Sequence, residues 1–362
     1  MEQLIPGLPD EIARECLIRL PYGWWHAARC VCKLWREEIE SADFHRLRRT
    51  SGISQPVVAL SQSEAVAVAG DPAKKCAFGP SYRVALLEPE SGTWSTLPPV
   101  PGLPRGLPLF CQLAAAGRRL VVIGGWNPES WVATDEVHVY DFMAGSWRRG
   151  APMPGPRRSF FACASDGRRM VFVAGGHDED KNALRSAMAY DVERDEWLPL
   201  PDMARERDEC KGVFRRGGFH VVGGYCTEMQ GRFGKSSEAF DVAAWRWGPV
   251  EEDALEAAAC PRTCVAWGDG RMYRCRVGNV AVMAEEKGAW RQVAELPKDA
   301  RVMPHVVACR SRILVLGSVT HGGSHVGYIL EEAAAGKCYQ WTPVPVPEEY
   351  SGQVQAGCCL EM

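Results

Sequence analysis

Fifteen cysteines give this 362-residue chain many side chains that could bind a metal ion or act as a nucleophile. Their spacing favours neither chemistry, because structural zinc sites and redox motifs use CxxC pairs and the sequence has none. The closest cysteines are Cys30 and Cys32, Cys260 and Cys264, and Cys358 and Cys359. We therefore expect reduced thiols that pack as small apolar side chains in a reducing cytosol. No catalytic residue, metal site or cofactor is predicted from them.

One acidic segment, HDEDKN, has the alternation of a calcium-binding loop, with Asp178, Asp180 and Asn182 at every second position. However, Ala183 stands where such a loop needs its turn glycine, and Ala189 stands where it needs its closing glutamate. The segment is therefore interpreted as a solvated loop.

Arginine recurs along the chain and offers a different chemistry, because its guanidinium binds carboxylate and phosphate groups. The recurring residues are Arg105, Arg157, Arg205, Arg262 and Arg301. The first three lie 19, 18 and 18 positions before a Gly-Gly pair. Aromatic and basic residues follow two of these pairs: Trp126, Trp131, Tyr225, Phe233 and Lys235. Since arginine and aromatic residues are enriched in interface hot spots, we predict that they bind an acidic or phosphorylated patch of a protein target. The alternative is that the arginines hold neighbouring sheets together.

The elements that position these residues repeat along the chain. Each Gly-Gly pair ends an apolar run, and an aromatic-Asp pair and then a tryptophan follow it. The glycine pairs begin at Gly124, Gly175 and Gly223, and the aromatic-Asp pairs at Tyr140, Tyr190 and Phe240. Tryptophan continues the series roughly every fifty residues, at Trp94, Trp147, Trp197, Trp247, Trp290 and Trp341. Each unit contains four short runs rich in β-branched and aromatic residues, which predicts four strands.

These units resemble the kelch repeat, in which each unit forms one four-stranded blade of a β-propeller. The resemblance implies a mostly β protein with a six-bladed kelch β-propeller over residues 48–362. The first blade has only three predicted strands, in QPVVALS, SYRVALLEP and GTWSTLP, whereas the last segment, GQVQAGCCLEM, contains a single one. We predict that this last segment supplies the missing inner strand and closes the ring, which leaves no open sheet edge.

The segment LPDEIARECLIRLP, residues 8–21, predicts a helix with an apolar stripe, because Pro9 can begin a helix and Pro21 ends it. A second stripe runs from Ala28 to Phe44. Two or three short helices in this region bury too little apolar surface to be stable alone. They must pack against the propeller or against another protein.

Read together, LPDEIARECLIRLP, VCKLW and Phe44 resemble the F-box motif, which implies a small all-α F-box domain over residues 1–47. By this resemblance the domain binds a Skp1-type adaptor and, through it, a cullin-based ubiquitin ligase. The residues that match motif positions and are expected to form the adaptor-binding surface are Leu8, Pro9, Ile12, Cys16, Leu17, Leu20, Pro21, Val31, Cys32 and Trp35. The alternative is a helical hairpin that packs on the propeller.

An F-box followed by kelch repeats resembles a family of plant proteins. The first residues are especially similar to members that mark phenylalanine ammonia-lyase or cytokinin response regulators for degradation. In kelch propellers the arginine segments and the loops after Gly-Gly share one face, which is often the ligand-binding one. The implied function is that of the substrate-recognition subunit of an SCF-type E3 ubiquitin ligase. Such a receptor positions its target and needs no catalytic group of its own.

Composition excludes several other classes. The net charge of −3 predicts no general attraction to nucleic acid or to anionic membranes. The first residues lack the features of a secretory signal, and no apolar run is long enough to cross a membrane, so we expect a cytoplasmic or nuclear protein. The remaining alternatives are a small-molecule sensor, an enzyme or a scaffold that acts outside a ligase. A metal oxidase would need converging histidine and tyrosine ligands.

Overall fold

The computed structural model describes residues 3–65, 80–276, 278–284, 289–333 and 338–362. Within these residues an N-terminal group of helices precedes a ring of six four-stranded antiparallel sheets, the blades. The prediction of a six-bladed β-propeller preceded by a small helical domain is therefore confirmed.

The helical domain contains four α-helices, not the two or three expected from the sequence. They are α1 (Asp10–Ile18), α2 (Trp25–Ala28), α3 (Lys33–Glu40) and α4 (Ala42–Thr50), with a 3-10 turn over Tyr22–Trp24. The chain breaks into shorter helices because side chains cap new helix starts. Cys32 Sγ accepts the N–H of Trp35 at 3.5 Å, and Ser41 Oγ accepts that of Phe44 at 3.0 Å. α4 continues to Thr50, past the predicted domain boundary at residue 47.

The propeller strands follow the repeats closely. Blades 1 to 3 contain β1 (Pro56–Ser63), β2 (Tyr82–Glu88), β3 (Thr93–Thr96); β4 (Gln112–Ala116), β5 (Arg119–Ile123), β6 (Val137–Asp141), β7 (Ser146–Gly150); β8 (Ala162–Ser165), β9 (Met170–Ala174), β10 (Ala187–Asp191) and β11 (Glu196–Leu200). Blades 4 to 6 contain β12 (Lys211–Arg215), β13 (Gly218–Val222), β14 (Ser237–Asp241), β15 (Arg246–Trp247); β16 (Val265–Ala266), β17 (Met272–Arg276), β18 (Asn279–Met283), β19 (Trp290–Glu295); β20 (Val302–Cys309), β21 (Arg312–Ser318), β22 (Val326–Glu332) and β23 (Tyr339–Val344).

Blade 1 is completed by the last strand of the chain, β24 (Val354–Glu361), which pairs antiparallel with β1. The register places Val58 opposite Cys359 and Leu60 opposite Gly357. The sheet order is β24-β1-β2-β3, so the late segment supplies the inner strand, as predicted. The inner strands β4, β8, β12, β16, β20 and β24 surround a central cavity.

The repeating tryptophans join each blade to its predecessor. The sequence predicts them as apolar packing surfaces, and the structure adds a hydrogen bond from each indole N–H to a backbone carbonyl at the end of the outer strand of the preceding blade or after it. The donors and acceptors are Trp94 and Pro345, Trp147 and Pro98, Trp197 and Ala151, Trp247 and Pro201, Trp290 and Ala254, and Trp341 and Glu295, at 2.7 to 3.1 Å.

The helical domain and blades 1 and 2 share one apolar core, to which Tyr22, Trp25 and Phe44 contribute from the helices. The ring of Tyr22 packs edge-on against Phe142 at 5.8 Å, and its hydroxyl donates to Glu88 at 3.0 Å. The alternative expectation, packing of the helices on the propeller, therefore holds for one side of the domain.

Candidate functional site

The connections between strands lie on two faces of the ring, because successive strands are antiparallel. We call the face with the connections between the second and third strand of each blade, and between blades, the rim face. The opposite one, with the two tight turns of most blades, is the turn face. The helical domain packs on the turn face of blades 1 and 2, where Tyr22 and His26 contact the β2–β3 and β6–β7 turns.

Two details show how closely the helices approach this face. Gly145, in the β6–β7 turn, has φ +64°, and a Cβ there would lie 3.3 Å from Cβ of His26. On α4, burial and nearby arginines, including Arg118 of the ring, lower the pKa of His45 to about 4. His45 is therefore neutral at physiological pH and adds no charge to the domain contact.

Several apolar residues of the helical domain remain uncovered. α1 directs Ala13 and Leu17 into the core, so that Ile12 and Cys16, one turn apart, face solvent. Ile12 is 52% exposed, and Val31, in the turn before α3, is 62% exposed. Large apolar side chains at this exposure indicate a surface that another protein covers when they cluster.

The structure divides the predicted adaptor residues into three groups by exposure. Six are exposed: Pro9, Ile12, Cys16, Pro21, Val31 and Cys32. Leu8, Leu20 and Trp35 are half-buried, and Leu17 is 1% exposed within the core. The indole of Trp35 donates to the carbonyl of Leu4 at 2.8 Å, which holds the ring at the edge of the domain.

The sequence analysis missed Trp24, which is 64% exposed beside the fully buried Trp25. Two adjacent tryptophans cannot both enter one core from a helical turn, so the WW pair is the signal that could have identified an exposed one.

Chain connectivity places every predicted target-binding residue on the rim face. The five arginines lie in the connections between blades, and Trp126, Trp131, Tyr225, Phe233 and Lys235 lie in the loops after Gly-Gly. Backbone bridges join the two kinds of segment, as between Leu109 and Trp126 and between Asp208 and Tyr225. The tyrosine is nearly buried, and its ring packs edge-on against Phe233 at 5.3 Å.

Most of the basic groups on the rim are paired with carboxylates, which the sequence did not predict. The ion pairs are Arg105 with Glu129, Arg157 with Asp135, Arg205 with Glu252, Arg301 with Glu295, and Lys235 with Asp253, at 2.6 to 4.0 Å. Arg262 instead contacts Met303 Sδ at 3.7 Å. The rim is therefore a surface of mixed charge, and the arginines gain a target carboxylate only by exchanging partners.

Rim-face residues at the mouth of the central cavity also escaped the sequence analysis. Four of them have φ between +47° and +61°: Phe110, Phe160 and Glu209, each two residues before an inner strand, and Met303, the second residue of β20. This conformation is strained for non-glycine residues and concentrates at functional sites. The rings of Phe110 and Phe160 lie 5.0 Å apart, and both pack against Trp126. Backbone strain cannot be read from residue types, so no sequence signal marked these positions.

Structural arginines lie next to the predicted ones. Arg158 and Arg207 are 1% and 3% exposed, and their guanidinium groups donate to the carbonyls of Gly175 and Gly223, respectively, in the Gly-Gly loops. These two arginines are not among the predicted ones, and each fixes the Gly-Gly loop of its own blade on the rim face.

The acidic segment predicted to be a solvated loop uses its carboxylates for hydrogen bonds within the loop. Asp178 of the acidic segment accepts backbone N–H groups of Asp180 and Asn182, so its oxygens serve the loop itself. Among the described residues, one group of potential ligands converges, formed by Glu206, Cys226 and Glu228. Glu206 already accepts the N–H of Thr227 at 2.8 Å. Exposed groups of this kind do not by themselves indicate a site.

In the described part of the chain, no helix is long and apolar enough to cross a membrane. A six-bladed propeller with tryptophan-linked blades and a helical domain with uncovered apolar residues define the class of kelch-propeller proteins that carry an F-box. The family comparisons agree: the F-box domain matches residues 5–47, and the Kelch motif matches residues 109–154 and 157–204.

The chain belongs to the F-box/kelch-repeat proteins. It is 46% identical to the F-box/kelch-repeat proteins At1g80440 and At1g15670 of Arabidopsis thaliana, over 99% of this chain and 100% of each relative. It is 38% identical to the F-box/kelch-repeat protein SKIP20 of the same plant, over 68% of this chain and 66% of the relative. F-box domains generally bind Skp1-type adaptors and kelch propellers bind protein targets, and this combination supports a role as a substrate adaptor of an SCF ligase.

Proposed function

We propose that the protein is a non-catalytic substrate receptor of an SCF-type E3 ubiquitin ligase. In this proposal the F-box binds a Skp1-type adaptor, which recruits the cullin, and the rim face holds a protein for ubiquitination and proteasomal degradation in the cytoplasm or nucleus. The observation that carries the proposal is the two-sided helical domain. One side packs on the propeller, whereas Ile12, Val31 and their exposed neighbours remain uncovered.

The arrangement of the two faces supports this division of labour. The helices occupy the turn face, so a target on the rim face does not compete with the adaptor. Phenylalanine ammonia-lyase and cytokinin response regulators are the first targets to test, because the first residues of the chain resemble receptors of these proteins.

Adaptor binding is tested with Val31→Glu in the full chain and a purified Skp1-type adaptor. A charge on this exposed apolar surface should weaken binding about thirtyfold or more if the adaptor covers it. Val319→Glu is the matched control, since Val319 is 64% exposed on the propeller and Val31 is 62% exposed on the F-box. Equal binding by the two variants would contradict the proposal. Point variants are preferable to deletion of residues 1–47, because the domains share a core.

Target binding is tested separately by reversing two rim charges, Arg157→Glu and Arg205→Glu. We expect loss of capture of either candidate target and unchanged adaptor binding. Arg246→Glu, an exposed arginine on the turn face, is the control. Unchanged capture by the double variant would end the rim proposal and would leave the adaptor proposal intact.

A further inference from the structure

The inner strands enclose a central cavity of about 480 Å³ that opens on the rim face. Phe110, Phe160, Met303 and Gln355 line it at the mouth, and small apolar residues and thiols line it further in, including Ala114, Ala164, Ala266, Ala308, Cys163, Cys264 and Cys358. A volume of this size lies in the range of small-molecule sites in proteins, and about half of the wall is apolar.

Two cationic side chains interrupt these walls, Lys211 and Arg262, and Arg262 is exposed at the mouth, where it contacts Met303 Sδ. Lys211, the first residue of β12, lines the cavity, and no salt bridge joins it to a carboxylate among the residues that the structure describes. Burial lowers the pKa of the Lys211 ammonium. The titratable groups that act on it are the thiols of Cys264, Cys163 and Cys260.

The nearest acid along the chain does not neutralise this ammonium. The carboxylate of Glu209 accepts the hydroxyl of Tyr225 at 2.8 Å on the rim. The amide Nε2 of Gln355 donates to Ser61 Oγ and to the carbonyl of Pro108, at 2.8 and 3.0 Å. Besides this ammonium, the cavity offers a ligand the guanidinium of Arg262 and the ring Nε2 of His305, which is buried and has no hydrogen-bond partner among the described residues.

The positive charge of Lys211 favours an anionic ligand. An ammonium without a counter-ion in a low-dielectric site is costly, and an entering anion removes that cost. A carboxylate is satisfied by the ammonium of Lys211 and one further donor. The rings of Phe110 and Phe160, tilted by 43° with centroids 5.0 Å apart, provide an apolar contact beside it.

We propose that the central cavity binds a small organic monocarboxylate, with its carboxylate on Nζ of Lys211 and its apolar body against Phe110 and Phe160. This site is independent of the proposed ligase function. Because the cavity opens on the rim face, its occupant contributes to the surface that a target meets.

The test uses the full chain with 4-phenylbutanoate as the probe, its neutral amide 4-phenylbutanamide as the charge control and acetate as the size control. Calorimetric titration should show binding of the acid, with at least about tenfold weaker binding of the amide and of acetate. Absence of acid binding at millimolar concentration, or equal binding of acid and amide, would overturn the proposal.

Variants locate the site. Lys211→Met should weaken binding of the acid at least about tenfold. Lys298→Gln, which alters an exposed lysine outside the cavity lining, should leave it unchanged. Without ligand, Lys211→Met should unfold at the same or a higher temperature, because it removes an unpaired buried charge. If Lys211→Met does not fold, Phe160→Ala decides: it should weaken the phenyl acid more than acetate, and an equal effect on both would refute the site.

Discussion

Replacement of Arg207 by methionine should lower the free energy of unfolding by about 3–5 kcal/mol, because it leaves the Glu238 carboxylate buried without its counter-ion. Arg207 Nε donates to Glu238 at 3.1 Å, and Nη1 donates to the carbonyls of Gly223 and Ser236 at 2.8 and 3.0 Å. Glu238 is fully buried, and its other hydrogen bonds within the described residues come from the backbone N–H groups of Ala204 and Arg205.

Blade 3 provides a matched control for this prediction. Arg158 makes the same contacts, to the carbonyls of Gly175 and Ser186 at 3.2 Å, but forms no salt bridge within the described residues. Met188 occupies the position of Glu238 in its blade, and burial lowers the pKa of Arg158 to about 10. Arg158→Met loses hydrogen bonds but leaves no orphaned carboxylate, so it should cost only about 1–2 kcal/mol.

Urea unfolding followed by tryptophan fluorescence measures both variants under the same conditions. The double variant Arg207→Met, Glu238→Gln should lose less stability than the sum of the single variants, since each removes the same ion pair. Equal losses for the arginine variants of blades 3 and 4, or a loss below about 1 kcal/mol for Arg207→Met, would refute the reasoning.

Three further predictions concern the ring and its pH dependence. Trp247→Phe should lower the free energy of unfolding by about 1–2 kcal/mol, because it removes the hydrogen bond from the indole to the carbonyl of Pro201 in the preceding blade. Trp245→Phe, at a tryptophan that is 39% exposed and does not make this bond, should cost less. Equal unfolding midpoints for the two variants would contradict this. Truncation after residue 350 removes β24 and should abolish cooperative unfolding by calorimetry, so a truncated chain with an unchanged transition would contradict ring closure by β24. Burial holds the pKa of His45 and of His220 at about 4, so these histidines take up protons in the unfolded chain before they do so in the folded protein as pH falls from 6.5 to 4. The free energy of unfolding should therefore decline over that window by about 2–3 kcal/mol per histidine. The double variant His45→Gln, His220→Gln should flatten this decline in denaturation curves measured at a series of pH values.

The repeats made the ring predictable from the sequence. The tryptophan spacing and the Gly-Gly pairs mark individual blades, and the shortage of strands in blade 1 implied the role of β24. These features are local, or follow from counting strands, and thus need no knowledge of side-chain packing.

The site was less predictable, because long-range packing decides it. Leu17 and Ile12 lie on the same predicted stripe, yet α1 buries one and exposes the other. The partner of Arg205, Glu252, lies on the next blade connection, and residue spacing does not indicate such a pair. The exposed Trp24 depends on how the helices dock, which no periodicity specifies.

The pairing of β1 with β24 has a consequence for biosynthesis. Every other blade is encoded by consecutive sequence, but these two strands lie about 300 residues apart. A ribosome that adds about 5 to 20 residues per second delivers β24 roughly 15 to 60 s after β1. During that interval the nascent chain holds β1 with an unpaired edge, beneath helices whose docking platform is still incomplete. This interval is the period in which a chaperone has most to protect, and a translational pause would prolong it.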